Sequence, residues 1–149
     1  MGTVAHIFVA TSRGAPMQLL SRVEAVTESG LVGDRYANAS LRRGPDYQLT
    51  LIEIENIRAF EEATGHALSV DAPRRNIVTS GISLNDLVGH RFRLGPVLAQ
   101  GLELCEPCVL FKKRTYPEAL RFFVGKGGLR ARVLAGGVIT VGDSICPEA

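Results

Sequence analysis

This sequence predicts a mainly β chain with a few helices, of the α+β class, closed or partly closed into a barrel. Short β-prone runs recur at close spacing, only two segments carry a convincing helical period, and strands and helices do not alternate as a doubly wound sheet requires. Residues 4–10 form a first buried strand, stopped by a turn at 12–16. A second strand, 23–26, is closed by Glu28-Ser29-Gly30, and 48–52 is a third β-rich run. From about Glu53 the period changes. Ile54, Ile57 and Phe60 fall on one helical face, and Gly65 is placed to end that helix after Thr64. Residues 76–79 make a strand halted at Gly81, and 84–88 one helical turn before Gly89. Strands at 91–94 and 97–104 are joined through the turn Gly95-Pro96. Thr115-Tyr116-Pro117-Glu118 has the spacing of a capping box with proline in the first turn, so a helix runs to about Val124, while Val109-Leu110-Phe111 before it reads as extended. A strand at 129–134, a turn at Gly136-Gly137 and the closing strand 138–141 complete the series.

With 149 residues the chain is expected to be a single domain, its core spanning about 4–145, and long enough to need no covalent staples. Three cysteines, two of them close in sequence, are unlike a secreted disulfide framework. The first residues lack a signal-peptide pattern and no apolar run nears the ~18 residues that cross a bilayer, so the expected location is the cytoplasm, away from membranes. A net charge of +2 and nine aromatic residues, six Phe and three Tyr, argue against general nucleic-acid binding. Of seventeen basic residues only Lys112, Lys113 and Lys126 are lysine, which leaves fourteen arginines. The guanidinium fork suits phosphate or carboxylate, so a small phosphorylated ligand is one explanation, and a bias in base composition is the other.

The most chemical segment is Cys105-Glu106-Pro107-Cys108, followed by Lys112, Lys113 and Arg114 and by the turn Gly125-Lys126-Gly127-Gly128. Nearby cations lower a thiol's pKa, and the thiolate is the nucleophile and the soft metal ligand. Cys-x-x-Cys is compatible with a redox pair, half of a zinc site, or two buried thiols. Zinc takes about four ligands, and the chain adds only Cys146, His6, His66 and His90. A thioredoxin-like site needs the motif between a strand and the helix it opens, which an extended 109–111 would not provide. Cys105, ending an apolar strand, reads as a packed thiol. Arg74 and Arg75, adjacent in an extended stretch, point to opposite faces, so one can meet an anion while the other meets solvent. Asp34, beside Arg35 in a glycine-punctuated loop, is placed to hold an arginine, and Arg130 and Arg132 share one face of their strand. The Gly125 turn lacks the P-loop pattern, so nucleotide hydrolysis is unsupported.

Taken in order, Gly33-Asp34-Arg35-Tyr36, Gln48-Leu49-Thr50-Leu51-Ile52, Arg74-Arg75-Asn76-Ile77-Val78-Thr79-Ser80-Gly81, Leu87-Val88-Gly89, Cys105-Glu106-Pro107-Cys108 and Gly127-Gly128-Leu129-Arg130 resemble the MOSC domain, the C-terminal domain of molybdenum-cofactor sulfurases. The resemblance runs from about Val4 to Ile145. It implies a β-barrel in which one cysteine, matching Cys108, ligates the molybdenum of molybdenum cofactor (molybdopterin). Arg74, Arg75 and Asn76 would line the pocket, with Asp34 and Arg35 beside them. It further implies reduction of N-hydroxylated compounds with a partner reductase, or persulfide carriage after loading by a pyridoxal-phosphate-dependent cysteine desulfurase. This chain resembles the bare domain, without the β-rich extension or fused partner domains of larger members.

Three functions follow as alternatives. In the first, Cys108 binds molybdenum while Arg35, Arg74, Arg75 and Arg130 hold the pterin phosphate. In the second, Cys108 carries sulfur and Cys105 releases it by forming a disulfide. In the third, the barrel is a non-catalytic interaction domain with buried thiols.

Overall fold

The computed structural model describes residues 1–42, 44–107 and 109–148, Val109 and Leu110 by their backbone. Cys108, the leading candidate thiol, lies outside the described residues. Eleven strands are present among the described residues: β1 (Gly2–Val9), β2 (Gln18–Leu20), β3 (Arg22–Val26), β4 (Gly30–Leu31), β5 (Leu49–Glu53), β6 (Ile77–Ser80), β7 (Arg91–Leu94), β8 (Val97–Leu104), β9 (Leu129–Ala135), β10 (Gly137–Thr140) and β11 (Ser144–Pro147). The α-helices are α1 (Ile54–Thr64), α2 (Val109–Arg114) and α3 (Ala119–Phe122), and short 3-10 turns occupy Arg35–Ala37 and Leu84–Leu87.

Seven strands form a ring in the order β11, β7, β8, β9, β5, β6, β1, and β1 returns to β11 through Gly2 opposite Ile145 and Thr3 opposite Ser144. The expected barrel is therefore closed. Strand β2 flanks β1, and β10, β3 and β4 make a small separate sheet. Within the ring, β5 and β6 are parallel, joined through α1, and the other pairings are antiparallel.

Side-chain alternation explains why β1, β5 and β6 read as unbroken apolar runs. Ile7, Leu51 and Ile77 point into the barrel core, while their neighbours Phe8, Ile52 and Val78 point outward into a second core. That second core holds Ile54, Ile57 and Phe60 of α1 with Ala119 and Phe123. The 3.6-residue spacing of the α1 trio supplies its buried stripe, and Gly65 ends the helix in the left-handed conformation. Burying a side chain such as Phe60, fully inaccessible here, contributes about 2–3 kcal/mol. No helix is long and apolar enough to cross a membrane among the described residues.

Three expectations fail locally. Residues 109–111 are helical, not extended: Phe111 packs edge-on against Phe123, centroids 5.3 Å apart, and this packing overrides the β preference of Val and Phe. The capping box does not form, because the Thr115 hydroxyl donates to the Phe111 carbonyl at 2.6 Å and the Glu118 carboxylate pairs with His66 at 2.7 Å. The helix expected to run to Val124 is accordingly only α3. Finally, the strand that closes the ring is β11, whereas β10, read from the sequence as the closing strand, belongs to the small sheet. Strands β2 and β4 are likewise additions, too short to carry a period.

Candidate functional site

On the side of the barrel where β5 and β6 meet the helices lies a cavity of about 280 Å³. Its apolar walls come from Ile52, Phe111 and Phe123, and its polar lining is dominated by six arginines: Arg13, Arg35, Arg74, Arg75, Arg114 and Arg130. Glu106 is the only carboxylate among the described lining residues. Such an excess of positive charge in a partly enclosed space favours an anionic occupant.

The arginines arrive on different elements and are not equivalent. Arg74 follows a turn in which its N–H donates to the Asp71 carbonyl at 3.0 Å, and its backbone sits in the left-handed region at φ 60°. Its Nη2 is buried without a hydrogen-bond partner among the described residues. Burial, then the positive charges of Arg35 and Arg114, push its pKa below the ordinary arginine range, with Asp71 opposing. Arg130 lies with its guanidinium carbon 4.0 Å from the Tyr47 ring centroid and its Nε 3.4 Å from Glu103, while its buried Nη1 has no hydrogen-bond partner among the described residues. Arg75 is engaged instead: its Nε donates to the Gly127 carbonyl at 2.8 Å. Arg35 Nη2 donates to the Tyr36 hydroxyl at 3.0 Å. Arg132 shares the outer face of β9 with Arg130, as expected, but pairs with Glu28 away from the cavity.

The glycine turn beyond α3 locks the cysteine segment in place. A Cβ at Gly127 would overlap the Cys105 carbonyl oxygen, and one at Gly128, where φ is 114°, would overlap the Leu51 carbonyl oxygen. Only glycine allows these approaches. The Cys105 N–H donates to the Gly128 carbonyl at 2.8 Å. Cys105 lines the cavity as a free thiol that is only 3% exposed. Cys146, also free, lies on β11, apart from the cavity lining. The Cys-x-x-Cys segment sits between the end of β8 and the start of α2, so the strand-to-helix setting that the sequence argued against is present. Among the described residues no three of His, Cys, Asp and Glu converge to hold a metal ion.

Asp34 and Asn76 support the site from behind. With Arg35, Tyr36 and Arg74 they line an adjoining hollow of about 10 Å³, room for about one water. Asp34 does not clamp a guanidinium. Its carboxylate accepts the Ala10 N–H at 3.0 Å and the Tyr36 N–H at 3.2 Å, which caps the turn carrying Arg35. Asn76, 3% exposed, accepts from the Thr50 N–H at 3.1 Å and donates to the Phe8 carbonyl at 3.1 Å, tying β5 to β1 where β6 begins.

Burial pushes the Asp34 pKa up, and this exceeds the lowering by its hydrogen bonds and by Arg35. A carboxyl that holds its proton more tightly when folded contributes stability that is fully present below its unfolded pKa, roughly 4, and lost as pH rises through the folded value. The wild-type advantage over Asp34→Asn should therefore shrink, by up to about 1.4 kcal/mol per pH unit, as pH increases above that point. Urea denaturation of both proteins across pH 3.5 to 7 checks it, and a gap that widens with pH contradicts it.

Sequence reasoning reached Arg35, Arg74, Arg75, Arg130 and Cys105 of the lining, and noted Arg114 only as a neighbouring cation. It missed Arg13, Tyr36, Phe111 and Phe123. Arg13 sits in a turn with no motif of its own, and comes to the cavity only because β1 pairs with β6, whose approach carries Arg74.

Fold and site together define a cysteine-bearing β-barrel with an arginine-lined pocket. A sequence model of the MOSC domain matches residues 38–146, and the chain belongs to the MOSC domain family. Arg13, Asp34 and Arg35 precede the matched span. Among solved structures, the YuaD protein from Bacillus subtilis aligns with TM-score 0.80 at 18% identity, over 97% of this chain and 94% of that one. YiiM from Geobacillus stearothermophilus aligns with TM-score 0.78 at 18% identity over 100% and 76% of the two chains. YiiM from Escherichia coli gives 0.75 at 20%, over 100% and 70%. At such identities the likeness is one of fold. No curated protein sequence matches the chain.

Proposed function

We propose that this chain binds molybdenum cofactor in the arginine-lined cavity, with Cys108 as the thiolate ligand of the metal. The observation that carries this reading is the convergence of six guanidinium groups on one cavity, with buried N–H donors on Arg74 and Arg130 that find no partner, and one lining carboxylate, among the described residues. Those orphaned donors fit the phosphate of a phosphorylated pterin, since a buried guanidinium without an acceptor is unfavourable until one arrives.

When bound, the cofactor supplies two-electron oxo-transfer chemistry suited to reducing N-hydroxylated compounds, with electrons from a partner reductase. The chain's own residues bind and orient. Arg35, Arg74 and Arg130 hold the anionic end. Arg75, through the Gly127 carbonyl, holds the glycine turn against Cys105, and Ile52, Phe111 and Phe123 keep that wall of the cavity apolar.

Protein purified from a host that makes the cofactor should contain molybdenum and pterin in matching amounts. Cys108→Ser should retain pterin more than metal. Metal-free and pterin-free protein that resists reconstitution would overturn the reading. One added sulfur in the intact mass after incubation with a desulfurase and cysteine, absent from Cys108→Ser, would assign sulfur carriage instead.

A further inference from the structure

One stretch of the sequence carries more net positive charge than the chain as a whole. Between Cys105 and Gly128 lie Lys112, Lys113, Arg114, Arg121 and Lys126 against Glu106 and Glu118, five minus two, or +3. The whole chain carries +2, so the remaining residues sum to −1. All three lysines fall within this segment. The same segment supplies Cys105, Phe111, Arg114 and Phe123 to the cavity wall, and of the five cations Arg114 is itself a lining residue.

These cations have little structural employment. Lys112, Lys113, Arg114, Arg121 and Lys126 are all exposed, and none of their side chains makes an ion pair among the described residues. The two acids that might neutralise them are turned elsewhere, Glu118 to His66 and Glu106 to the Gly125 N–H. Lys112, Lys113 and Arg114 do sit in the last turn of α2, where they favour the helix dipole by about 0.3–1 kcal/mol each. Arg121 occupies the same position in the shorter α3, whereas Lys126 lies outside both helices. Between these two stands Val124, 60% exposed, and the Lys126 ammonium lies 5.3 Å from the Phe122 ring centroid.

We propose that this α2–α3 face is the docking surface for an acidic protein partner that reaches the cavity mouth. An apolar spot with charges of one sign around it matches the anatomy of a protein interface whose encounter is steered electrostatically. Nucleic acid fits less well, because exposed aromatic platforms for stacking are missing from the described residues of the face. A bilayer fits less well, since insertion needs a broad apolar stripe and Val124 is the one exposed large hydrophobic residue described there. The surface stands on charge and exposure. It draws on the proposed function only for what such a partner would deliver.

The test uses a short poly-L-glutamate as a stand-in for an acidic protein surface, with single-stranded oligothymidylate and phosphatidylserine vesicles as competitors in class. At low salt the peptide should bind the wild-type chain, and the triple variant Lys112→Glu, Lys113→Glu, Arg121→Glu should bind about tenfold more weakly or worse. Arg22→Glu, Arg91→Glu, Arg93→Glu changes net charge equally on other strands and should leave affinity within about twofold of wild type once screening by salt is matched. Lys126→Glu, on a loop, repeats the loss if the triple variant fails to fold. Absent peptide binding, equal weakening in the control, or tighter binding of the oligonucleotide or the vesicles would each overturn the proposal. Molybdenum and pterin contents, measured on the same variants, report separately on the cofactor, because none of the substituted residues lines the cavity.

Discussion

Arg74→Gly is expected to give a protein at least as stable as wild type that has lost its ligand. At φ 60° an L-residue with a Cβ costs about 1–2 kcal/mol, which glycine removes. The buried, unpartnered Nη2 and the repulsion from Arg35 and Arg114 disappear with it. Against this, glycine adds freedom to the unfolded chain, worth about 0.5–1 kcal/mol. The balance should lie between no change and a gain of about 1 kcal/mol in chemical denaturation. Loss of one charge-assisted contact should weaken retention of an anionic ligand by about tenfold to a hundredfold. Measuring unfolding free energy and pterin retention on the same preparation checks both halves. A variant that is clearly destabilised, or that keeps its pterin, would show that Arg74 serves the fold and not the cavity.

Gly128→Ala should have the largest effect on stability, about 3 kcal/mol or more, because the new methyl meets backbone and not a yielding side chain. The atom in its way is the carbonyl oxygen of Leu51, fully buried on β5 and opposite Leu129 of β9. Relief requires parting two ring strands, or changing a φ of 114° that alanine disfavours. Gly127→Ala has a milder global cost but should shift Cys105 and Glu106, whose backbone it would strike. Thermal denaturation separates the two variants. Gly128→Ala should melt well below wild type, and Gly127→Ala should melt closer to it while losing ligand. Equal melting temperatures for Gly128→Ala and wild type would mean that β5 and β9 are not held as tightly as their pairing indicates.

What could be read from residues in order was local and periodic. Ile54, Ile57, Phe60 and Gly65 define α1 to the residue, and Gly95-Pro96 marks the β7–β8 hairpin. What failed was decided by partners far away in sequence. Phe111 is helical because Phe123 awaits it, and Thr115 and Glu118 abandon their local box for the Phe111 carbonyl and for His66. Strand β11 is four residues ending in proline, weak by composition, and exists because β1 and β7 each offer it an edge. Within the site, Arg74 and Arg75 announce themselves as a pair, yet only coordinates separate the one with a free donor from the one tied to Gly127. Asn76, the next residue after Arg75, turns out to tie β5 to β1 at the start of β6.

The seam between β1 and β11 joins residues 2 and 3 to 144 and 145. A polypeptide leaving the ribosome can pair β1 with β2 and then β6, but the Gly2–Thr3 end of β1 lacks its β11 partner until Ser144 and Ile145 have emerged. During that interval the margins of β1 and β7 that β11 will cover are open to any passing strand, and a copy ending before Ser144 never covers them. The same arrangement that rids the finished barrel of raw margins makes its assembly slow and its shortened forms prone to clumping.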